Sequence, residues 1–273
     1  MRHEVEFPNP SGGVTTTDFS IKPVFDQAGQ VVTLVAEGRD ITTLKQTQAD
    51  LQARNQELES FAHIVSHDLK APLRAVANLS QWIEDDLAGV LTEDTQSQMT
   101  LLRSRVNRMR GTIDGLLDYA RAGNTEGTFE PVAVAELLSE VIDSLAPPPT
   151  FSIAIDPNLP TLNTNRVLLF QVFANLIGNG IKHHDRVDGS IQVSCSECGD
   201  LYEFIIADDG PGIAPQYQAN IFTIFQTGNS QAAEDSTGIG LAIVKKIVES
   251  AGGTIRLESK VSNGTTFYFT WSK

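Results

Sequence analysis

Cysteine, basic side chains and long apolar runs are all scarce in this 273-residue chain. Lys and Arg number 20 against 34 Asp and Glu, a formal net charge of −14 at pH 7. Nucleic acid and anionic membrane surfaces would repel that charge, so neither is expected as a partner. No run of about 18 apolar residues occurs, so no helical membrane span is expected. The N-terminus lacks the basic and apolar regions of a secretory signal, which points to the cytoplasm. The only cysteines, Cys195 and Cys198, form a lone CxxC within "SIQVSCSECGDLYEF". A structural zinc needs a second ligand pair, and no matching CxxC or HxxxH follows; both are expected in hairpin strands.

What is present divides into zones. Hydrophobic residues make up 41% and charged residues 20%, the balance of a globular chain with room for two cores. Residues 14 to 39 hold β-branched runs, "VTTTDFSIKPVF" and "VVTLVAEG", joined by "DQAGQ", which predicts a hairpin. A few strands cannot make a stable domain, so this zone is expected to close a larger one. Together with "RDIT" at Arg39 to Thr42 it resembles the last strands of a PAS sensor domain.

From Leu44 the period changes. Leu44, Leu51, Leu58 and Val65 recur every seven residues, with Ala62, Leu69 and Val76 on the adjacent seam. After the turn "LAGVLTEDT", a second helix places Met99, Leu102, Val106, Met109, Ile113, Leu116 and Ala120 at alternating steps of three and four. A single helical hairpin leaves such stripes partly uncovered, so pairing with a second copy into a four-helix bundle is expected. "RAGNTEGTFEP" then reads as a linker. Beyond it the patterns predict helices near 133–145, 165–184 and 239–250, with strands near 151–155, across 190–207 and at the end. That order suggests a mixed sheet covered by helices on one face.

The first helix carries "FAHIVSHDLKAPLR". With Val65 on the seam, His67 turns toward solvent, and His63 lies one turn before it. An exposed, largely neutral imidazole is a usable nucleophile, and the neighbouring Asp68 could orient the ring or take its second proton. Pro72 lacks an amide hydrogen and should loosen the helix nearby. These residues alone would equally suit the solvated face of a bundle.

Three later segments carry polar groups suited to a nucleotide. In "QVFANLIGNGIKHH", Asn175 and Asn179 stand four apart on one helical face, with Lys182 three further on. Amide oxygens and an ammonium suit a magnesium-bound triphosphate. In "IIADDGPGI", Asp208 and Asp209 end a strand, and Gly210 and Gly212 permit a tight turn beside a ligand. A buried carboxylate there could accept a hydrogen bond from an adenine amino group. "STGIGLAIVKKIVESAGG" opens a helix behind Gly238 and Gly240, whose amides could meet phosphate. Each segment singly could be surface polarity or an ordinary turn.

"SHDLKAPLR" closely resembles the phosphoacceptor box of sensor histidine kinases, and the three later segments resemble the asparagine box and two glycine boxes of their ATP-binding domain. "IFTIFQ", with Phe222, looks like the phenylalanine box between them. The resemblance implies a multidomain chain. Residues 1–42 would be the tail of a PAS-like domain and 43–125 a phosphotransfer hairpin forming a dimeric four-helix bundle. Residues 126–273 would be an α/β sandwich of the gyrase, Hsp90 and histidine-kinase type. It implies phosphorylation of His67 with Asp68 assisting, and then transfer to an aspartate of a response-regulator receiver. Asn179 would be the principal magnesium ligand, with Asn175 and Lys182 near the phosphates of ATP. Asp208 would hold adenine, and Gly210, Gly212, Gly238 and Gly240 would shape the pocket and its lid.

The match has departures. "QTGNSQAAEDS" offers no basic residue, where many family lids supply one. Asp209 stands where many relatives have asparagine, and Gly180 where alanine is usual; the glycine should cost up to about 1 kcal/mol of helix stability. Ala71, one turn after His67, occupies a position where phosphatase-competent relatives typically carry threonine or asparagine. Two other readings remain at this point: an ATPase using the same nucleotide fold, and a non-catalytic dimeric scaffold. The first leaves "SHDLKAPL" unexplained, and the intact boxes oppose the second.

Overall fold

The computed structural model describes residues 2–8, 13–123, 128–226 and 237–273, in two compact units, Met1–Phe61 and Ala62–Lys273. In the first unit, strands β1 (Arg2–Pro8), β2 (Val14–Phe25) and β3 (Val31–Asp40) form an antiparallel sheet in that order. The expected hairpin is β2–β3. Its turn is built by Asp26, whose carboxylate accepts the N–H groups of Ala28 and Gln30, and by Gly29 at φ 78°. Strand β1 is an addition to the sequence reading: seven residues rich in charge become a strand only by pairing along β2.

Helix α1 (Thr42–Asp86) starts where Asp40 accepts the Thr42 N–H at 2.9 Å, and it passes through Pro72 without a break. Helix α2 (Glu93–Arg121) is capped by Thr92, whose hydroxyl accepts from the Thr95 N–H, and Glu93 and Asp94 complement its N-terminal dipole. The two helices run antiparallel within the second unit. Ser80 meets the Met99 sulfur at 3.7 Å, Glu84 pairs with Gln96 and Arg103, and Lys70 pairs with Asp114.

The heptad seam is distributed differently from the sequence expectation. Among the described residues of α1, Ser66 and Ser80 are the buried ones, flanked by half-buried Val65, Leu73 and Ala77. Leu44, Leu51, Leu69 and Val76 remain exposed, as do Leu79 and Ile83. The regular apolar stripe is therefore open in a single chain.

The remainder is an α/β layer structure. A short antiparallel pair, β4 (Glu130–Ala133) with β6 (Thr161–Thr164), adjoins helix α3 (Val134–Leu145) and strand β5 (Ser152–Ile155). Helix α4 (Arg166–Lys182) leads into β7 (Ser190–Cys198) and β8 (Leu201–Asp208); α5 (Pro215–Gln218) and α6 (Gly240–Ser250) precede β9 (Ile255–Ser259) and β10 (Thr265–Ser272). The five-stranded sheet has the order β5-β7-β8-β10-β9, parallel only between β5 and β7. One face of it carries Val193, Phe204, Ile206, Phe267 and Phe269 against the buried stripes of α3, α4 and α6. Phe173 of α4 stands edge-on to Phe204 and Phe269, with ring centres 5.4 Å apart from each. Such pairs add roughly 0.5–1.5 kcal/mol beyond their burial. Cys195 and Cys198 lie in β7, as expected, and burial with nearby Asp156 and Glu197 pushes the Cys195 thiol up to about 11.

The central strand is β8. It is flanked on both sides, so its end is the most rigid point from which a polar side chain can be presented. Asp208 occupies that end.

Candidate active site

On α1 the His67 side chain is 80% exposed, and its Nδ1 lies 3.2 Å from the Asp68 carboxylate. When Nδ1 carries the proton and donates it to Asp68, the lone pair of Nε2 faces outward. His63 is also exposed, one turn earlier, and Ala71 is exposed one turn later. Lys70 turns the other way, to Asp114 of α2, and thus helps join the two helices beside the histidine. Asp118, a turn beyond Asp114, is held above the ordinary carboxylate range by burial and by the Asp114 charge.

The second group of residues gathers at one end of the sheet. Asp208 Oδ1 accepts the N–H of Gly210 at 3.0 Å and of Thr265 at 3.2 Å. Partial burial nonetheless raises its pKa above the ordinary value, the hydrogen bonds opposing. Gly210 packs closely: a β-carbon there would stand 3.0 Å from the Asp208 carboxylate and 3.3 Å from the His184 ring. Gly212 adopts φ 70°, and a β-carbon would collide with the carbonyl of Lys260. The glycine-rich turn therefore rests directly on the β9–β10 connection.

Asn175 and Asn179 face the same side of α4, both half-buried. Asn175 donates from Nδ2 to the Gln171 carbonyl at 2.8 Å. Its Oδ1 lies 2.6 Å from where a β-carbon on Gly240 would be, so Gly240 lets α6 begin against α4. Lys182 ends α4 with its side chain exposed. Gly238 has φ 67° and would strike the Gln226 carbonyl if it carried a side chain; its own carbonyl accepts the Phe225 N–H at 2.8 Å. Phe222 packs edge-on against Phe267, which anchors this turn to β10. The lid residues 227–236 lie outside the described residues.

Of the residues predicted for the nucleotide, Asn175, Asn179 and Lys182 lie on α4, and Asp208, Gly210 and Gly212 lie at and after the end of β8. Gly238 and Gly240 stand at the start of α6, where Gly240 meets Asn175, and Phe222 lies in the turn that packs on β10. Sequence reasoning missed Thr265 and Gly264, which pack against Asp208 from β10 and the turn before it. Thr265 donates to Asp208, and a β-carbon on Gly264 would clash with the Asp208 carbonyl. The Asn263-Gly264 turn signal was available in "VSNGTTF". A second unforeseen group is the set His184, Arg186, Asp209. The charge of Asp209 is balanced: its carboxyl sits well below the usual range because of the Ser190 N–H first, and then His184 and Arg186.

An exposed histidine on a helical hairpin is followed by an α/β domain whose glycine-bearing turns pack closely about a strand-end carboxylate. Comparison with known families agrees domain by domain. Residues 57–125 match the His Kinase A (phospho-acceptor) domain, and residues 164–273 match the histidine kinase-, DNA gyrase B- and HSP90-like ATPase. The chain belongs to the sensor histidine kinases. It is 34% identical over 232 residues to cyanobacterial phytochrome B of Nostoc sp., covering 83% of this chain and 31% of that protein. Cyanobacterial phytochrome A of the same organism is 35% identical over 235 residues, covering 85% and 31%. The chain therefore spans about a third of the length of these relatives. Among solved structures, full-length ShkA in complex with AMPPNP is similar with a TM-score of 0.58 at 26% identity, over 78% of this chain and 45% of that one.

Proposed function

We propose that this chain is the catalytic core of a two-component sensor kinase that transfers the γ-phosphoryl group of ATP to Nε2 of His67. The observation that carries the reading is the pairing of His67 Nδ1 with Asp68 at 3.2 Å on an exposed helical face. Asp68 fixes the ring and can receive its second proton as Nε2 forms the new N–P bond and ADP departs. Phosphoryl transfer needs positioning and charge neutralisation more than covalent help from the protein.

Asp208 would accept a hydrogen bond from the adenine amino group. Gly210, Gly212 and Gly264 let the turns pack closely against the β8 end and so hold that carboxylate in place. Asn175, Lys182 and the α6 N-terminus would face the phosphates. Asn179 is the candidate magnesium ligand, since an amide oxygen suits a hard cation. Bound magnesium supplies shielding of phosphate charge.

The exposed apolar stripe of Leu69, Val76, Leu79 and Ile83, with Leu102, Met109 and Leu116 on α2, supports a homodimer through a four-helix bundle. Phosphohistidine would then pass its phosphoryl group to a receiver aspartate of a response regulator. We read residues 1–42 as the end of a PAS-like sensor domain, since its antiparallel strands run straight into α1. We assign residues 43–125 to the phosphotransfer hairpin and 126–273 to the ATP-binding domain. No described helix is long and apolar enough to cross a membrane; the reaction's need for ATP points to the cytoplasm. Incubation with γ-labelled ATP and magnesium tests the reading. Label retained on the chain supports it, and label released wholly as inorganic phosphate would indicate an ATPase instead.

A further inference from the structure

His184 lies just past α4, and its side chain is 1% exposed. The ring is edge-on to Phe151, with centres 5.3 Å apart. It is wedged between two glycines: a β-carbon on Gly189 would overlap the ring, and one on Gly210 would stand 3.3 Å from it. Both nitrogens have partners. Nδ1 accepts the Arg186 N–H at 3.1 Å, so Nε2 carries the hydrogen and donates it to Asp209 Oδ1 at 2.9 Å. Asp209 Oδ1 also accepts the Ser190 N–H at 2.7 Å, while Arg186 donates to Asp209 Oδ2. Asp185 lies further off, 3.6 Å from Nδ1.

One imidazole thus ties the exit of α4, the start of β7 and the turn after β8 into a single unit. Asp208 and Gly210 flank Asp209 on that turn. If His184 is removed, Asp209 loses a donor and Gly210 loses the surface against which it packs. The backbone that holds Asp208 can then shift.

We infer that His184 is a positioning residue for nucleotide recognition, holding the Asp208–Gly210 turn through Asp209. This rests on the assignment of Asp208 to the adenine. It also gives Asp209 a purpose: a full carboxylate can accept from the imidazole, the guanidinium and the Ser190 amide together. An asparagine would turn an N–H toward one of these donors.

The two bonds of the ring can be separated by substitution. Glutamine can place an N–H where Nε2 stands, and asparagine can place an oxygen where Nδ1 stands but does not reach Asp209. The test measures autophosphorylation of the full chain against ATP concentration in wild type, His184→Ala, His184→Gln, His184→Asn and Asp208→Ala, with circular dichroism on each. His184→Ala and His184→Asn should raise KM for ATP roughly tenfold, the loss of about one buried hydrogen bond. Saturating kcat should stay within about twofold of wild type, and His184→Gln should recover most of the affinity. Should His184→Ala prove unfolded, the contrast between His184→Gln and His184→Asn still decides. Unchanged KM in the His184 variants, with a raised KM in Asp208→Ala, overturns this inference alone. An equal fall in kcat and folded content for all His184 variants overturns it as well, as a merely structural role. Unchanged KM in Asp208→Ala overturns the pocket assignment and this inference with it.

Discussion

Lys246 of α6 donates from Nζ to the carbonyl oxygen of Tyr119 near the end of α2, at 2.7 Å, and stands 4.7 Å from the centre of that tyrosine's ring. A second bond reaches the Ala120 carbonyl at 3.3 Å. The last carbonyls of a helix lack partners within it, and a cation there also complements the helix dipole. Nearby, Gly115 of α2 leaves room for Ile239, whose side chain would be 3.0 Å from a β-carbon at that position. Helix α2 and the α6 region therefore meet through the Lys246 bonds and through close packing at glycines, Gly115 among them. Lys246→Met keeps the aliphatic stem and removes the charge-assisted bonds. It should lower stability by about 1–3 kcal/mol, read as a lower urea midpoint; an unchanged midpoint would show that the contact contributes nothing.

The ionised Asp208 carries a cost in stability, which its proposed contact with adenine would explain. Burial raises its folded pKa above the ordinary 3.8, so the folded state binds the proton more tightly than the unfolded state. Its contribution is therefore most favourable below the ordinary pKa and declines as pH rises through the folded value. Asp208→Asn can still accept from Gly210 and Thr265 but never ionises. The variant should gain in Tm relative to wild type as pH is raised from about 3 to 7. At pH 7 it should bind ATP more weakly, because the amide oxygen is a poorer acceptor than the carboxylate. A Tm difference independent of pH would contradict the burial argument.

Ala71 shares the face of His67, one turn on, and its methyl group can neither donate nor accept a hydrogen bond. Relatives that also hydrolyse their regulator's acyl phosphate typically carry threonine or asparagine there, a group able to hold water. Wild type is expected to show poor phosphatase activity, and Ala71→Thr to show more, with autophosphorylation unaffected. The decay of purified phospho-regulator mixed with each protein measures this. Rapid decay with wild type, beyond the regulator's own and without back-transfer to His67, would refute it.

Much of this site was legible because its residues sit in short contiguous segments with fixed helical or turn geometry. His67 and Asp68 are neighbours, Asn175 and Asn179 are four apart, and Gly210 and Gly212 follow a strand end. The helix pattern was readable too, and its apolar stripe lies open as a bundle with a second copy would need, but the buried positions of α1 were not foreseen. A heptad shows which residues are apolar and is silent on whether a stripe meets α2 or lies open, and Ser66 and Ser80 are buried despite being polar. The pair β4–β6 escaped notice because four-residue strands have no measurable period. Gly180 could be read only as a weak helix former. In the structure a β-carbon there would stand 2.7 Å from Ile191 Cδ1, so the glycine lets α4 approach β7. The His184 network was beyond reach, since it joins residues 25 apart through a ring whose burial no local pattern announces.

The central claim is that His67, and not another nucleophile, receives the phosphoryl group. The most direct measurement is γ-label incorporation into wild type, His67→Gln and His63→Gln, followed by exposure of the labelled protein to acid and to base. A phosphoramidate is lost in acid and survives base, whereas a phosphoserine shows the reverse. Wild type and His63→Gln should label nearly equally, with acid-labile, base-stable phosphate, and His67→Gln should label not at all while still dimerising and binding ATP. Acid-labile label of undiminished yield on His67→Gln would contradict the account.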